Sequence, residues 1–469
     1  MLLPLFAAAS DAEEVSLQEV YDAGLPVVSI TTVDGEEPTF EVAKAPEGCV
    51  GLSIKNATKV PARLTVSLNG TMLYDSGDYE KDVSGLTVKV RGNTSAIQKK
   101  KPYKLKLQKK ADLLCRGSKT YADKNWALIN DEMLQTMVGL KVNELVGLQW
   151  TPAYKYVNLV FNGEYRGLYM LVETVERNTD CRLNVDKSGY IFEYDAYWWN
   201  EPIKIDSKFY FSMQYTYKYP DSDKVTEEQH AYISDVVKAF ETSIAKGTYG
   251  SCIDVNSFAT WMVGHDILGC KDAAGSNIFL TKYDNTPDSK IMMGNMWDFD
   301  SGFMTEGDWD GMHKQWFFGK LFKNVNLRFA RAYYSKWNEL KSTLFSQMDT
   351  YLADYAKSED CKAFEKSLAL DRKARGKEMS SVADMIDGFR QWFASRKTWL
   401  DENITQPEVW LLGDANCDGT VNQNDLDAIV DYLMGRTQKT TFDMDNADMN
   451  RDGGVDVADV VEFIRQKDS

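Results

Sequence analysis

Two stretches of the chain carry residue types at spacings that could do chemistry. In Lys271-Asp272-Ala-Ala-Gly-Ser-Asn277 an aspartate and an asparagine stand five positions apart, and the strand-like Ile278-Phe-Leu-Thr follows. After a turn region at 284–289, the run Ile291-Met-Met-Gly-Asn-Met-Trp-Asp298-Phe-Asp300 returns as the second arm of a hairpin. Alternate side chains of an extended strand share a face, so Asp298 and Asp300 are expected to point the same way. Phosphoryl transfer needs one carboxylate to orient the attacking hydroxyl, and an amide plus another carboxylate to hold magnesium on the phosphates. Asp272, Asn277 and Asp298 supply those groups in that order. The plain alternative for the same residues is turn chemistry and a salt-bridged strand.

The second stretch lies near the end of the chain. Asp414-Ala-Asn-Cys-Asp-Gly-Thr-Val-Asn-Gln-Asn-Asp425 puts Asp414, Asn416, Asp418, Asn422 and Asp425 at loop positions 1, 3, 5, 9 and 12, with Gly419 at 6. Starting 34 residues later, Asp448-Met-Asn-Arg-Asp-Gly-Gly-Val-Asp-Val-Ala-Asp459 repeats the pattern with Asp448, Asn450, Asp452, Asp456 and Asp459, and Gly453 at the turn. Thr420 and Gly454 stand at position 7, where the backbone carbonyl ligates. Calcium is a hard ion that takes several oxygens, and a glycine at position 6 permits the sharp turn that gathers them. Apolar residues at helical spacing follow each loop: Leu426, Ile429, Val430, Leu433, then Val460, Val461, Phe463, Ile464. Position 12 is Asp rather than the longer Glu. An acidic surface tail with accidental Asp/Asn alternation is the alternative.

A cationic segment lies far upstream. Val88-Lys-Val-Arg91-Gly92-Asn93-Thr94-Ser95 reads as a turn with exposed backbone amides, and Lys99-Lys-Lys-Pro-Tyr-Lys104-Leu-Lys106-Leu as the strand after it. Alternation puts Lys104 and Lys106 on one face and Tyr103, Leu105 and Leu107 on the other. Nucleotide phosphates need a lysine at such a place, although lysines also protect solvated edge strands from unwanted pairing.

The elements that must position these residues fall into three zones. From Leu25 to about Leu107, short β-rich segments (26–32, 64–68, 86–90, 103–107) are separated by Asp-Gly, Asn-Gly and Ser-Gly turn signals. In the next zone, apolar spacing predicts a helix over 131–148 with Asp131 as its cap. There, Tyr156–Phe161, Asn162-Gly163 and 165–172 read as a hairpin. Residues 316–403 have an amphipathic helical pattern that ends near Pro407. The third zone is the acidic repeat.

The composition of the 469 residues is 43% apolar, 12% aromatic and 26% charged, which excludes wholesale disorder and a small disulfide scaffold. There are 54 Lys+Arg against 70 Asp+Glu, a net charge of −16, so a general nucleic-acid binder is not expected. Residues 413–469 hold 13 acids and 5 bases, half of that deficit. Three histidines, His230, His265 and His313, are too scattered for a multi-histidine metal site. The 7 cysteines form no CxxC pair and read mostly as small buried hydrophobes. No apolar run reaches the ~18 residues of a membrane span. The opening Met1-Leu-Leu-Pro-Leu-Phe-Ala-Ala-Ala-Ser10 is similar to the back half of a signal peptide that lacks its basic start.

Two resemblances follow from these residues. An Asp-x4-Asn, a hairpin and then an Asp is the order used by protein kinases. Residues 25–405 resemble the CotH family of spore-coat-type atypical kinases. The matching stretches are Leu25-Pro-Val-Val, Val90-Arg-Gly-Asn-Thr-Ser, Lys100-Lys-Pro-Tyr-Lys-Leu-Lys-Leu, Trp126-Ala-Leu-Ile-Asn-Asp, Phe161-Asn-Gly-Glu-Tyr-Arg-Gly-Leu-Tyr-Met-Leu-Val-Glu173, Asp272 to Asn277 and Trp297-Asp-Phe-Asp300. The resemblance implies a reduced, diverged kinase-like fold that uses ATP with magnesium or manganese to phosphorylate proteins on serine. It implies Asp272 as the catalytic aspartate and Asn277, Asp298 and Asp300 as metal ligands. Arg91, Asn93, one of Lys100, Lys104 and Lys106, and Glu173 at the strand leading to the hinge would lie on the nucleotide. The chain departs from a kinase in having the single Gly92 in place of a Gly-x-Gly-x-x-Gly loop, Cys270-Lys271 before Asp272, and Ser301-Gly302 after Asp300.

Residues 413–466 resemble a type I dockerin: two calcium loops, each with a helix after it and none before the first. That implies two Ca2+ ions, a cohesin module of a scaffoldin as partner, and extracellular, cellulosome-bound export. Gln423-Asn424 and Val457-Ala458, at loop positions 10 and 11, would bear on partner choice. The expected organisation is thus a lead at 1–24, an α+β kinase-like domain at 25–405 with a β-rich N-terminal and a helical C-terminal part, a linker at 406–412, and a small all-α dockerin at 413–469. The expected function is a secreted protein-serine kinase held beside its substrates. The alternatives are a catalytically silent structural or polysaccharide-binding module, or a glycosidase using paired Asp residues.

Overall fold

Period-two apolar alternation over the first 170 residues can bury both strand faces only if the sheet curls around one face and packs helices on the other. That is what the chain does in the computed structural model. It describes residues 12–49, 51–270, 276–303, 313, 316–323, 328–407, 411–418, 420–436, 442–450, 452 and 454–467. Strand Val27–Thr32 pairs in parallel with Tyr154–Phe161 and antiparallel with Val60–Leu68. The sheet therefore closes on itself through Glu164–Glu173, Asp123–Ile129, Tyr103–Ala111 and Leu86–Val90, and Thr71–Asp75 is added outside the ring. One face fills the barrel with Val28, Ile30, Leu64, Val88, Leu105, Trp126, Leu159, Phe161 and Leu171. The other face puts Tyr156, Leu168, Met170 and Val172 against the helical part. The Asn162-Gly163 hairpin forms as expected, with both residues at positive φ (+50° and +82°).

The helix expected over 131–148 spans Gln135–Val146. Asp131 still caps it, at a distance. Its carboxylate accepts from the amides of Thr136 (2.8 Å) and Met137 (3.1 Å) and from the Tyr156 hydroxyl (2.6 Å).

A second, antiparallel sheet runs in the order Lys204–Ile205, Gln214–Tyr219, Tyr190–Asp195, Ile278–Lys282, Ile291–Met293. Around it pack Glu227–Lys246 and the almost wholly buried helix Val255–Leu268. The helical pattern expected over 316–403 becomes Trp316–Phe322, Arg328–Leu340, Leu344–Lys357, Glu359–Arg375 and Val382–Asn403. The arm expected to be extended from Ile291 to Asp300 is a strand only at Ile291–Met293, because Asp298 turns left-handed at φ +63°. No disulfide joins any of the cysteines. Only Cys270 and Cys361 are buried, so the rest are more exposed than expected. No helix among the described residues is long and apolar enough to cross a membrane.

Helix Glu359–Arg375 is locked to the barrel by charge. Asp371 is fully buried and accepts from the Leu168 amide (3.0 Å) and from Lys100 Nζ (3.0 Å), and it pairs with Arg375. Glu132 joins through Lys100, Arg372 and Arg375 at 3.7, 3.0 and 2.7 Å. Gly167, at φ +114°, has no room for a Cβ beside the Asp371 carboxylate. Removing one partner of a buried pair leaves an uncompensated charge, which costs about 3–5 kcal/mol. Asp371→Ala is therefore expected to lower the denaturation midpoint of the main domain steeply, whereas Lys366→Ala, exposed on the same helix, is expected to change it little. Urea unfolding followed by tryptophan fluorescence measures both.

The tail builds a small core of Ala415, Ala428, Ile429, Ala447, Met449 and Phe463 between helices Gln423–Leu433 and Val457–Lys467. It touches the main domain through Arg331, which reaches Asp443 at 2.9 Å, and Arg328, which reaches Asp445 at 3.1 Å.

Candidate functional site

Three expected site residues sit around the second sheet. Asn277 immediately precedes strand Ile278–Lys282 at φ +64°, and Asp298 follows strand Ile291–Met293 at φ +63°. Asparagine and aspartate tolerate this left-handed region better than most residues. The Asn277 side-chain Nδ2 donates to Asp298 Oδ2 at 3.3 Å. Phe299 is buried between the exposed Asp298 and Asp300. Its ring fills the space where helix Gln135–Val146 has Gly139, so that no side chain larger than hydrogen fits there. That contact sets the turn and presents Asp298. Gln135 Nε2 also donates to the Asp300 carbonyl at 3.3 Å. Asp272 lies outside the described residues. On one side of its segment, the Cys270 thiol stands 3.6 Å from the Asp298 carbonyl, and on the other, Ser276 enters the cluster described next.

Sequence reasoning missed Glu193 and Asp195. Both are buried on strand Tyr190–Asp195, on the face opposite Phe192 and Tyr194, which belong to the apolar core. Glu193 Oε1 accepts from the Asn277 amide (2.8 Å) and the Ser276 hydroxyl (3.1 Å), while Oε2 meets Lys218 Nζ at 2.6 Å. Asp195 accepts from the Tyr197 amide (2.7 Å) and Thr216 Oγ1 (3.2 Å), and its Oδ1 lies 3.0 Å from Ser276 Oγ, whose one proton the two acids share. Two acids at i and i+2 in the otherwise apolar run Tyr190-Ile-Phe-Glu-Tyr-Asp195 were the available signal.

Burial, reinforced by the Glu193 charge and opposed by Lys218, pushes the Asp195 carboxyl up to about 7 from its ordinary 3.8. The folded chain thus keeps a proton that the unfolded chain has already lost. The resulting stabilisation is full below about pH 4 and is lost as the pH rises through about 7. Asp195→Asn is expected to flatten the decline in the denaturation midpoint across that window. An unchanged pH dependence would show that the group titrates elsewhere.

Of the expected cationic residues, Arg91 is the one tied to these acids. Burial lowers the Arg91 guanidinium's proton affinity, and the charges of Asp298 and Glu193 act against that, which puts Arg91 within their electrostatic reach. Lys89 and Lys104 are cross-strand partners, and burial followed by the Lys104 charge lowers the pKa of Lys89. Lys104 also meets Glu176 at 3.6 Å. Gly92, at φ +94°, makes the turn, and Asn93 Oδ1 accepts from Ser53 Oγ at 2.7 Å. Lys106 is exposed further along its strand, beside Asn125 and Thr87.

Two of the expected residues have partners elsewhere. Lys100 does not face this site, because its ammonium is buried against Asp371, Glu132 and the Leu168 carbonyl. Glu173 does end its strand, but its carboxylate is consumed by Arg116 (2.8 Å) and the Ala153 amide (3.0 Å). Both are structural ion pairs.

Among the described residues no group of three His, Cys, Asp or Glu side chains converges on a metal position. One carboxylate and one amide are what Asn277 and Asp298 offer. That set fits magnesium, which is commonly held by one or two carboxylates together with phosphate oxygens.

The two acidic loops fold alike. Asp425 accepts from the amides of Asn416 (3.1 Å) and Asn422 (2.8 Å), and Asp459 does the same with Asn450 (3.2 Å) and Asp456 (2.8 Å). Asp414 and Asp448 each accept from the amide four residues on, at 3.0 and 3.1 Å. Asp418 takes the Thr420 amide (2.9 Å) and Asp452 the Gly454 amide (3.1 Å). Each position-12 aspartate therefore clasps its loop through two backbone amides, and the Asp and Asn side chains of the loops are a donor chemistry that fits calcium.

The family model described as CotH kinase protein matches residues 88–400, and the one described as Dockerin type I domain matches residues 412–466. No curated protein matches the chain. Among solved structures, the crystal structure of the Golgi casein kinase is similar at 8% identity, covering 85% of this chain and 76% of its own, with a TM-score of 0.25.

Proposed function

The chain belongs to the CotH kinase protein family, and from that premise we propose that it transfers the γ-phosphate of ATP to serine side chains of proteins. In this reading residues 25–405 form a diverged kinase-like catalytic unit. The observation that carries it is the Asn277–Asp298 pair, 3.3 Å apart and within electrostatic reach of Arg91. Asn277 and Asp298, with Asp300 beside them, would hold magnesium or manganese. When bound, the ion neutralises charge on the phosphates and keeps them in line. Arg91, Lys104 and Lys89 attract the phosphate oxygens, and the backbone amides at Gly92-Asn93 lie beside them. Asp272 aims the serine hydroxyl and takes its proton.

The tail then acts as a dockerin. With two calcium ions it binds a cohesin module of an extracellular scaffoldin, so that the catalytic unit meets other proteins on the same scaffold. Incubating the full chain with radiolabelled ATP, magnesium and scaffold-bound partners tests this reading. Label on serine, and thermal stabilisation by ATP that requires magnesium, are the expected results. Without either, the domain is a silent module docked to the scaffold.

A further inference from the structure

The Asn277–Asp298 pair is built from two residues in left-handed backbone, one of them directly before a strand, so something must hold it in shape. The contacts identify what does. Ser276 Oγ lies 3.1 Å from Glu193 and 3.0 Å from Asp195, bridging the two carboxylates. Glu193 also holds the Asn277 amide at 2.8 Å, which ties down the left-handed residue at its own backbone. The two acids do not drift, because they sit on the central strand of the sheet. Thr216 and the Tyr197 amide fix Asp195, and Lys218 fixes the far oxygen of Glu193. Burial works against the Lys218 charge, but Glu193 and Asp195 more than offset it, so the lysine stays protonated. Every oxygen of both carboxylates is engaged by a donor of this chain. Their role is therefore to orient the residues that bind, not to bind.

We propose that Glu193 and Asp195 are positioning residues that hold Ser276-Asn277, and through it the Asn277–Asp298 pair, in the shape that receives a divalent cation. The proposal rests on the phosphotransfer reading above. Groups that orient a metal ligand from behind typically contribute about 10–100-fold in metal affinity.

The test is Mn2+ binding to the full-length protein with ADP present, followed by electron paramagnetic resonance, in saturating calcium so that the tail loops are already filled. Glu193→Ala is expected to weaken Mn2+ binding about 10–100-fold. Glu193→Gln, which keeps an acceptor for the Asn277 amide, is expected to lose less. Ser276→Ala removes the hydroxyl between the two acids without placing a charge in the core, and is expected to weaken binding several-fold at an unchanged melting temperature. It therefore decides the matter even if Glu193→Ala fails to fold. If wild type binds Mn2+ and Ser276→Ala and Glu193→Gln bind it equally well, the positioning role is wrong and the phosphotransfer reading stands. If wild type takes up no Mn2+ at all, both fall together.

Discussion

Asp298→Asn is expected to remove the magnesium-dependent part of nucleotide binding. Asp272→Asn is expected to leave nucleotide bound while phosphate transfer to serine falls about 10²–10⁴-fold. The difference follows from what each carboxylate does with charge. An amide at position 298 keeps the shape of the turn over Phe299 and Gly139 but no longer neutralises a divalent cation. An amide at 272 still fits beside a hydroxyl but cannot take its proton. Calorimetric titration of ATP with and without magnesium, alongside transfer of radiolabelled phosphate, separates the two defects. Equal labelling by wild type and Asp272→Asn would remove that residue from the chemistry.

Chelating calcium is expected to unfold the tail and abolish cohesin binding while the main domain keeps its structure. Burial raises the pKa of Asp425, and the Asp414 and Asp418 charges push it further up, so the loop is held together against carboxylate repulsion. An ion bound only in the folded state relieves that repulsion. At a hundredfold excess over its dissociation constant each site contributes about 2.7 kcal/mol, a large share for a core of six buried side chains. The readout is helical circular dichroism of the full chain with EGTA or with calcium, together with pull-down on a cohesin. If EGTA changed neither signal, the loops would not be calcium sites. Asp425→Ala is expected to mimic the chelator, because Asp425 clasps both ends of its loop through the Asn416 and Asn422 amides.

The tail was almost fully legible in the sequence, because a calcium loop is a local pattern that one turn of chain carries whole. The Asn162-Gly163 hairpin was legible for the same reason. The Asp298 turn was not. A strand was expected through Asp300, but the contact of Phe299 with Gly139 overrides it, and those residues lie on different elements. Glu193 and Asp195 acquire meaning only through strand pairing, which sets Glu193 opposite Phe279 and so brings Asn277 within its reach. The partners of Lys100 and Glu173 were not legible because they lie 271 and 57 positions away, at Asp371 and Arg116. A charge in a β-rich stretch gives no sign of whether a distant helix neutralises it.

The closed barrel bears on the order in which the chain can fold. Its seam joins Val27–Thr32 to Tyr154–Phe161, and the Thr32 amide donates to the Asn162 side chain 130 residues later. Local hairpins form in microseconds, but a contact at that separation must first overcome loop-closure entropy. During synthesis at about 5–20 residues per second, the first strand waits several seconds for its parallel partner, held meanwhile by the antiparallel strand Val60–Leu68. The Leu168, Met170 and Val172 face is made last and then needs the helices after residue 227 to cover it. The barrel is thus a late assembly. A nascent chain that stalls before Phe161 presents an open apolar sheet, the state in which a chaperone would find it.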